Sequence, residues 1–304
     1  MSINKSKIIT IGISGNGFVL RSFDWLYYNG HLTAMRPVAI LMAMMLIHED
    51  KVSLPTLGIA YLITLIVYSN DRVRDLGGDR VTNPDRSAYL SRKKKNYHYL
   101  FALYLGSLVI ILLLFADAEL LVLAVYAMVA IAIGVLYTTA LKRVTKYVPG
   151  FKTILVASEW AATIVLLYGV FYHSLTSVFA LMFGAFAFIK LFNSSLFFDI
   201  KDIESDGLQG LKTIPVIMGY KSTLRILKVL VVVSFLPLVI GVFGFGQPVL
   251  ALLLLPLSVI FYGMVRIAEA NEGVPLKYYI PAHLEYMIWP LGVIIGAFII
   301  STLR

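Results

Sequence analysis

The sequence predicts an all-α membrane protein, a bundle of about nine transmembrane helices around a central cavity. Of its 304 residues, 59% are hydrophobic and 14% are charged, whereas a soluble domain carries roughly 25% charged residues. The apolar residues form continuous stretches, which are typical of helical spans and not of the alternating pattern of a membrane β-barrel. The chain has no cysteine, which excludes disulfides, thiolate metal sites and cysteine nucleophiles.

Nine apolar segments account for most of the chain. Each is close to the length of one helical crossing of the hydrocarbon layer, about 20 residues. Residues 1–28 contain basic residues and an aromatic run near their end, and they predict a segment lying at the lipid headgroups. Residues 29–304 are then expected to form a single transmembrane domain. The apolar segments lie near residues 30–48, 54–70, 97–116, 119–140, 151–171, 175–198, 221–243, 247–268 and 281–301.

The basic residues are distributed unequally between the two sides of such a bundle. With nine helices, the connectors on one side carry 14 Lys and Arg residues, while those on the opposite side carry only Lys51. Because positive residues stay on the cytoplasmic side, we expect a multi-pass protein of the cell membrane whose long connectors face the cytoplasm. The net charge of +9 then reflects orientation in the lipid bilayer, and no nucleic-acid partner is expected.

The first long connector contains three aspartates at four-residue intervals, Asp71, Asp75 and Asp79. Residues i, i+4 and i+8 share one face of a helix, so these like charges repel one another. The arrangement costs stability unless a cation lies among the carboxylates. The spacing therefore predicts a cation site.

A second acidic cluster begins where the sixth apolar segment ends. Asp199, Asp202 and Asp206 are spaced by three and four residues and share a helix face, whereas Glu204 points away. Each cluster follows an even-numbered predicted helix, four helices apart, as in an internal pseudo-repeat. We therefore expect both carboxylate faces to line one cavity at the cytoplasmic end of the bundle.

Oxygen ligands without nearby His or Cys favour magnesium, which commonly completes its coordination shell with phosphate oxygens. Solvated charged loops are the simpler reading of one acidic cluster, but two clusters with helical spacing at the same membrane face favour a binding site. Basic residues near both clusters would neutralise the remaining phosphate charge, so the sequence predicts a diphosphate substrate. These basic residues are Arg72, Arg74, Arg80, Lys142, Arg143 and Lys212.

With these motifs the sequence resembles the UbiA superfamily of intramembrane prenyltransferases. Residues 199–219, DIKDIESDGLQGLKTIPVIMG, are similar to the second aspartate-rich motif of that family and the segment after it. Residues 137–143, YTTALKR, resemble its Tyr-(Ser/Thr)-x-x-Leu-Lys-Arg connector, and residues 71–86 resemble its first motif. The resemblance covers nearly the whole chain and includes the architecture of nine helices.

The first motif departs from the family pattern Asn-Asp-x-x-Asp-x-x-x-Asp. With Asp75 and Asp79 aligned to its last two aspartates, Asp71 stands at the asparagine position and Arg72 at the first aspartate. An aspartate at the asparagine position still offers an oxygen ligand. The metal site is therefore expected to persist in this chain.

The resemblance implies a Mg²⁺-dependent prenyltransferase. It would transfer a prenyl group from an allylic polyprenyl diphosphate, such as geranylgeranyl diphosphate, to a lipophilic acceptor, for which an aromatic quinone precursor is the preferred choice. The diphosphate would ionise to leave an allylic carbocation, which requires a membrane-embedded chamber that excludes water.

The resemblance also assigns roles to individual residues. Two Mg²⁺ ions are expected, one held by the aspartates of each cluster, and the catalytic set would be completed by a cation and an aromatic residue. The predicted metal ligands are Asp71, Asp75, Asp79, Asp199, Asp202 and Asp206. The predicted catalytic residues are Asp75, Asp79, Asp202, Asp206, Lys142 and Tyr137. The predicted diphosphate ligands are Arg72, Arg74, Lys142, Arg143 and Lys212.

Four polar residues within the apolar segments leave alternatives open. Lys190 and Asn193 precede Asp199 by roughly 13 and 9 Å along a helix, which predicts a place in the substrate pocket, although Lys190 fits a structural partner equally well. Glu159 and Glu285 could each deprotonate an acceptor, but capping or interhelical hydrogen bonding is the favoured interpretation of both.

A transporter or cation pathway that uses the aspartates is the alternative function. It fits less well, because the clusters lie at the membrane edge among arginines, whereas a permeation site is expected near the midplane.

Overall fold

The computed structural model describes residues 25–74, 76–77, 80, 84–115, 120–172, 177–271 and 279–302. The predicted ligands Asp75 and Asp79 lie outside the described residues. Residues 1–24 of the predicted headgroup segment also lie outside them. Within the described ranges every regular element is helical.

The helices follow the apolar segments of the sequence closely. Short 3₁₀ turns at Lys94–Asn96, Leu141–Lys146, Ile200–Asp202 and Val249–Leu253 connect several of them. In chain order the α-helices are α1 (His31–Ile47), α2 (Leu54–Arg74), α3 (Pro84–Lys93), α4 (Tyr97–Leu114), α5 (Leu120–Thr139), α6 (Phe151–Tyr172), α7 (Val178–Asp199), α8 (Ile203–Leu208), α9 (Ile214–Met218), α10 (Tyr220–Val233), α11 (Phe235–Phe245), α12 (Leu254–Ala270) and α13 (Tyr279–Thr302).

Each of the nine predicted segments overlaps a helix, but nine membrane crossings are not confirmed. Among the described residues, six helical stretches are long and apolar enough to cross a membrane. Helix α1 has 17 residues, and α2 ends in the polar sequence Asn70-Asp71-Arg72-Val73-Arg74. The six stretches are Pro84–Leu114, Phe151–Tyr172, Val178–Leu208, Tyr220–Phe245, Val249–Ala270 and Pro281–Thr302.

Helices α1, α2, α6, α7 and α13 pack around the main apolar core, which includes the fully buried Met44, Ile63, Phe183 and Trp289. Helices α4 and α5 contribute one face to this core, through residues such as Leu112 and Ala127, and expose many apolar side chains on the other, such as Ile110 and Met128. In a membrane such side chains face lipid, which is as apolar as they are.

Glycine lets two helices approach closely at one wall of the bundle. A Cβ atom added to Gly134 of α5 would lie 2.4 Å from a methyl group of Val67 on α2. Small residues at such crossings are typical of membrane helices, because packing and not hydrophobicity drives helix association in lipid. Both residues also line the cavity described below.

Candidate active site

A cavity of about 220 Å³ lies where α2, α5 and α7 end. The described members of both acidic clusters line it: Asp71 of the first cluster and Asp199, Asp202 and Asp206 of the second. Two stretches of sequence far apart in the chain therefore present carboxylates to one space.

Three successive elements position the second cluster, the long helix α7 and two short helical segments after it. Helix α7 ends at Asp199, a 3₁₀ turn runs through Ile200–Asp202, and α8 carries Asp206. The change from α-helix to 3₁₀ turn and back departs from the regular helix that the spacing predicts. All three aspartates nevertheless remain on the side of the cavity.

Lys152, at the start of α6, is the main cation of the second cluster. Its Nζ lies 2.7 Å from Asp199 Oδ1 and 3.7 Å from Asp206 Oδ2. Thr153 Oγ1 donates a hydrogen bond of 2.9 Å to the other oxygen of Asp199. Sequence reasoning missed Lys152, although an ionisable residue in an apolar segment is a signal for a functional site.

No three His, Asp or Glu side chains among the described residues come close enough together to hold a metal ion. The lysines give the physical reason, because Lys152 binds Asp199 and Lys201 Nζ lies 2.6 Å from Asp202 Oδ2. The donor chemistry nevertheless fits a hard cation. Asp206 Oδ2 is a buried carboxylate oxygen without a hydrogen-bond partner in the described part of the chain, and such an atom suits a metal ion.

In the first cluster Arg72 has a structural role that the sequence did not predict. Its Nη1 donates hydrogen bonds of 2.6 and 2.8 Å to the carbonyl oxygens of Tyr27 and Tyr28, and its Nη2 donates one of 3.0 Å to Thr33 Oγ1. Arg72 is buried and lines the cavity. The guanidinium thus holds residues 27–28 of the predicted headgroup segment against the bundle, and Tyr27 also lines the cavity.

The other predicted diphosphate ligands divide into two groups. Lys142 lines the cavity, whereas Arg74, Arg143 and Lys212 are exposed and lie outside its lining. Arg74 donates a hydrogen bond of 3.1 Å to Asn70 Oδ1. The structure thus brings only Lys142 of these four residues to the acidic clusters.

Tyr137 lines the cavity, and its buried hydroxyl has no hydrogen-bond partner among the described residues. The hydroxyl group of Tyr137 is therefore available to a substrate, because no structural hydrogen bond among the described residues uses it. The sequence identified this residue through its position before the Leu-Lys-Arg connector.

The predicted pocket residues Lys190 and Asn193 lie outside the cavity lining. Lys190 Nζ lies 2.6 Å from Glu285 Oε1, and Asn193 Nδ2 donates a hydrogen bond of 3.3 Å to the carbonyl oxygen of Leu227. Helix rotation explains the difference: nine residues turn the helix by about 900°, which places Lys190 opposite Asp199. The prediction used the distance of Lys190 from Asp199 along the helix axis and did not use the direction in which each side chain points.

Several cavity residues come from segments that carried no motif. Arg36 of α1 donates a hydrogen bond of 2.7 Å to Ser194 Oγ, and its guanidinium lies 4.8 Å from the ring centre of Tyr286. Trp160 Nε1 donates a hydrogen bond of 3.3 Å to Tyr68 Oη, and the two rings are stacked. Spacing within one helix cannot identify such residues, because they meet only in the folded bundle.

Replacing Lys152 by methionine should lower the thermal stability of the purified protein, and added Mg²⁺ should restore it. Without the ammonium group, Asp206 loses this cation and Asp199 keeps the hydrogen bond from Thr153 but loses the ion pair, at a cost of about 1–3 kcal/mol. A divalent cation would supply the missing charge. Thermal unfolding in detergent, with and without MgCl₂, measures both effects, and Lys146→Met on the exposed 3₁₀ turn is the matched control. Equal Mg²⁺ stabilisation of variant and wild type would contradict the prediction.

The sequence profile of the UbiA prenyltransferase family matches residues 36–300. No curated protein matches the chain.

Two solved structures resemble the fold. One carries the description "Structural and mechanistic insights into the biosynthesis of Digeranylgeranylglyceryl phosphate synthase in membranes". Its TM-score is 0.53 and its sequence identity to this chain is 15%. The match covers 91% of this chain and 98% of the solved one. The other is the apo structure of a UbiA homologue from Aeropyrum pernix K1, with a TM-score of 0.64 and 15% identity, covering 88% of this chain and 98% of its own. At this identity the likeness concerns the fold.

Proposed function

The chain belongs to the UbiA prenyltransferase family and is a multi-pass membrane prenyltransferase, and we propose that an aromatic quinone precursor accepts the prenyl group. In this proposal the donor is an allylic polyprenyl diphosphate such as geranylgeranyl diphosphate, and the reaction requires Mg²⁺. The observation that carries the proposal is the placement of aspartates from both clusters and of several cations around one cavity.

The aspartates would hold two Mg²⁺ ions at the diphosphate. Asp71, Asp75 and Asp79 would hold one ion, and Asp199, Asp202 and Asp206 the other. Bound Mg²⁺ would neutralise the charge that develops on the departing diphosphate. Asp206 Oδ2 supports this assignment, because among the described residues it has no hydrogen-bond partner and its nearest cation, Lys152 Nζ, lies 3.7 Å away.

The cations of the cavity would bind the remaining diphosphate oxygens. Lys142, Lys152 and Arg86 line the cavity together with the aspartates. Lysine and arginine donate charge-assisted hydrogen bonds to phosphate oxygens, and these are stronger than neutral ones. The exposed Arg74, Arg143 and Lys212 would contribute only if they turned toward the ligand.

The aromatic residues of the cavity would surround the prenyl chain at its reactive end. Tyr68, Tyr137 and Trp160 line the wall that continues from the acidic end. Their rings would exclude water from the allylic cation, and each aromatic face can stabilise a cation by about 0.5–2 kcal/mol. Apolar helices let the long prenyl tail extend sideways into the bilayer.

The diphosphate end is proposed to face the cytoplasm. The connectors next to both aspartate clusters contain most of the loop Lys and Arg residues of the chain. Positive residues are retained on the cytoplasmic side during insertion. At that side Mg²⁺ can enter the cavity from water, and the released diphosphate, which is water-soluble, can leave it.

The proposed function is tested with purified protein, radiolabelled geranylgeranyl diphosphate and three acceptor probes. The probes are 4-hydroxybenzoate, 1,4-dihydroxy-2-naphthoate and geranylgeranylglyceryl phosphate, each incubated with MgCl₂ or with EDTA. We expect a prenylated aromatic product with MgCl₂ only. Product from the glycerol phosphate alone would refute the proposed acceptor class, and product in the presence of EDTA would refute the metal requirement.

A further inference from the structure

One carboxylate of the cavity belongs to neither aspartate cluster. Glu159 lies on α6, two helical turns after Lys152, and both side chains line the same cavity. Seven residues of helix span roughly 10 Å. Glu159 is therefore set back from the diphosphate end, along the wall where a prenyl chain and its acceptor would meet.

The carboxylate of Glu159 is not used in a structural contact that the structure describes. Its Oε1 is buried and has no hydrogen-bond partner among the described residues. The carbonyl oxygen of the same residue does have partners, since Thr163 Oγ1 donates to it at 2.8 Å and Tyr126 Oη at 3.4 Å. The backbone is thus held in place while the acid group faces the cavity.

Glu285, a fully buried glutamate of the bundle, shows the contrast. Glu285 accepts a hydrogen bond of 2.6 Å from Lys190 and lies outside the cavity lining. A buried carboxylate without a partner costs several kcal/mol, so a glutamate in this condition at a cavity wall indicates a ligand that donates a hydrogen bond or a proton.

The surroundings of Glu159 suit a flat, mostly apolar acceptor. Val67, Val156, Trp160 and Leu191 line the cavity with it, from α2, α6 and α7. An aromatic ring with a hydroxyl group would pack against these side chains and offer its O–H to the carboxylate. The wall thus provides apolar contact and one acceptor for a proton.

We propose that Glu159 is the catalytic base that takes the proton from the acceptor, an aromatic ring bearing a hydroxyl group. This inference rests on the proposed function. The bond between prenyl C1 and the diphosphate oxygen breaks, and its electron pair leaves with the diphosphate. A ring carbon next to the hydroxyl-bearing carbon then bonds to C1. The hydrogen of that ring carbon passes as a proton to one oxygen of the Glu159 carboxylate, whose other oxygen accepts the hydrogen bond from the hydroxyl group, and the ring becomes aromatic again.

The proposal separates two steps that can be measured independently. Diphosphate release depends on the aspartate clusters and the cations, whereas formation of prenylated acceptor also needs the base. Glu159→Gln keeps the size and polarity of the side chain but removes its ability to take a proton at neutral pH. Glu159→Asp keeps the carboxylate and tests rescue.

The experiment measures both products from labelled geranylgeranyl diphosphate with MgCl₂ and each of the two aromatic probes named above. For Glu159→Gln we expect diphosphate release within threefold of wild type, with prenol replacing prenylated ring, and a loss of ring prenylation of about 100-fold, typical of a missing general base. Glu159→Asp should recover at least a tenth of wild-type transfer. Glu269→Gln, in an exposed pair with Lys228, is the control and should behave as wild type.

Other outcomes overturn the inference. If Glu159→Gln prenylates the ring as wild type does, Glu159 is not the base. If that variant loses diphosphate release together with transfer, its role is structural or lies in ionisation. If wild type releases diphosphate but prenylates neither ring, the acceptor class is wrong, whereas failure of wild type to release diphosphate at all refutes the proposed function itself.

Discussion

Replacing Asp202 by asparagine should lower Mg²⁺-dependent prenyl transfer about a thousandfold, because metal stabilisation of the leaving diphosphate contributes several kcal/mol. Asparagine retains the shape of the side chain but loses one negative charge of the second cluster. Asp202 and its partner Lys201, in the same 3₁₀ turn, both line the cavity and, in the described part of the chain, support no contact between the long helices. The fold should therefore persist while turnover is lost.

Transfer to an aromatic probe at increasing MgCl₂ measures this effect, and thermal unfolding checks the fold. Glu204→Gln is the matched control, because Glu204 lies in α8 beside the cluster but is exposed and outside the cavity lining. Asp75→Asn should cause a loss as large as that of Asp202→Asn. Full activity in both aspartate variants would show that the metal assignment is wrong.

Replacing Lys190 by methionine should destabilise the bundle by about 3–5 kcal/mol, the usual effect of removing one partner from a buried ion pair. Lys190 and Glu285 are each 1% exposed and join α7 to α13. The variant leaves the buried Glu285 carboxylate without its cation. Glu285→Gln should destabilise less than Lys190→Met, since the glutamine side-chain oxygen and Ser258 Oγ can still accept hydrogen bonds from the ammonium group.

A double-mutant cycle measured by unfolding in detergent tests this role. Lys190→Met combined with Glu285→Gln should recover most of the lost stability, because no isolated charge remains. Lys228→Met removes one partner of the exposed pair with Glu269 and should cost less than about 1 kcal/mol. If Lys190→Met instead raised the KM for the diphosphate without changing stability, the result would contradict the structural role and support the substrate-pocket role predicted from the sequence.

The two acidic clusters show how far sequence reasoning reached. Their helical spacing and their position after apolar segments predicted carboxylates at one cavity, and Asp71 lies in one cavity lining with Asp199 and Asp206. The same reasoning treated Arg72 as a free cation of the site. Its burial against the carbonyls of Tyr27 and Tyr28 depends on the path of residues before α1, which no local pattern describes.

The ionisable residues inside helices show where sequence reasoning stops. Lys190, Glu159 and Lys152 all lie within or beside apolar segments, and the sequence left two roles open for the first two and gave no role to Lys152. Their contacts differ because of the direction in which each helix turns its side chains. Lys190 faces α13, whereas Lys152 and Glu159 face the cavity. Each residue turns the helix by about 100°. A side chain one or two positions further along the helix therefore faces a different neighbouring helix.

The sequence by itself determined that the chain is a helical membrane protein of the UbiA family and that aspartates concentrate at the ends of two helices, because length, hydropathy and spacing are local properties. Only the tertiary structure decided which cations meet those aspartates and which glutamate faces the cavity. Contacts such as Lys152 with Asp199 join different helices, and they depend on the packing and rotation of whole helices against one another.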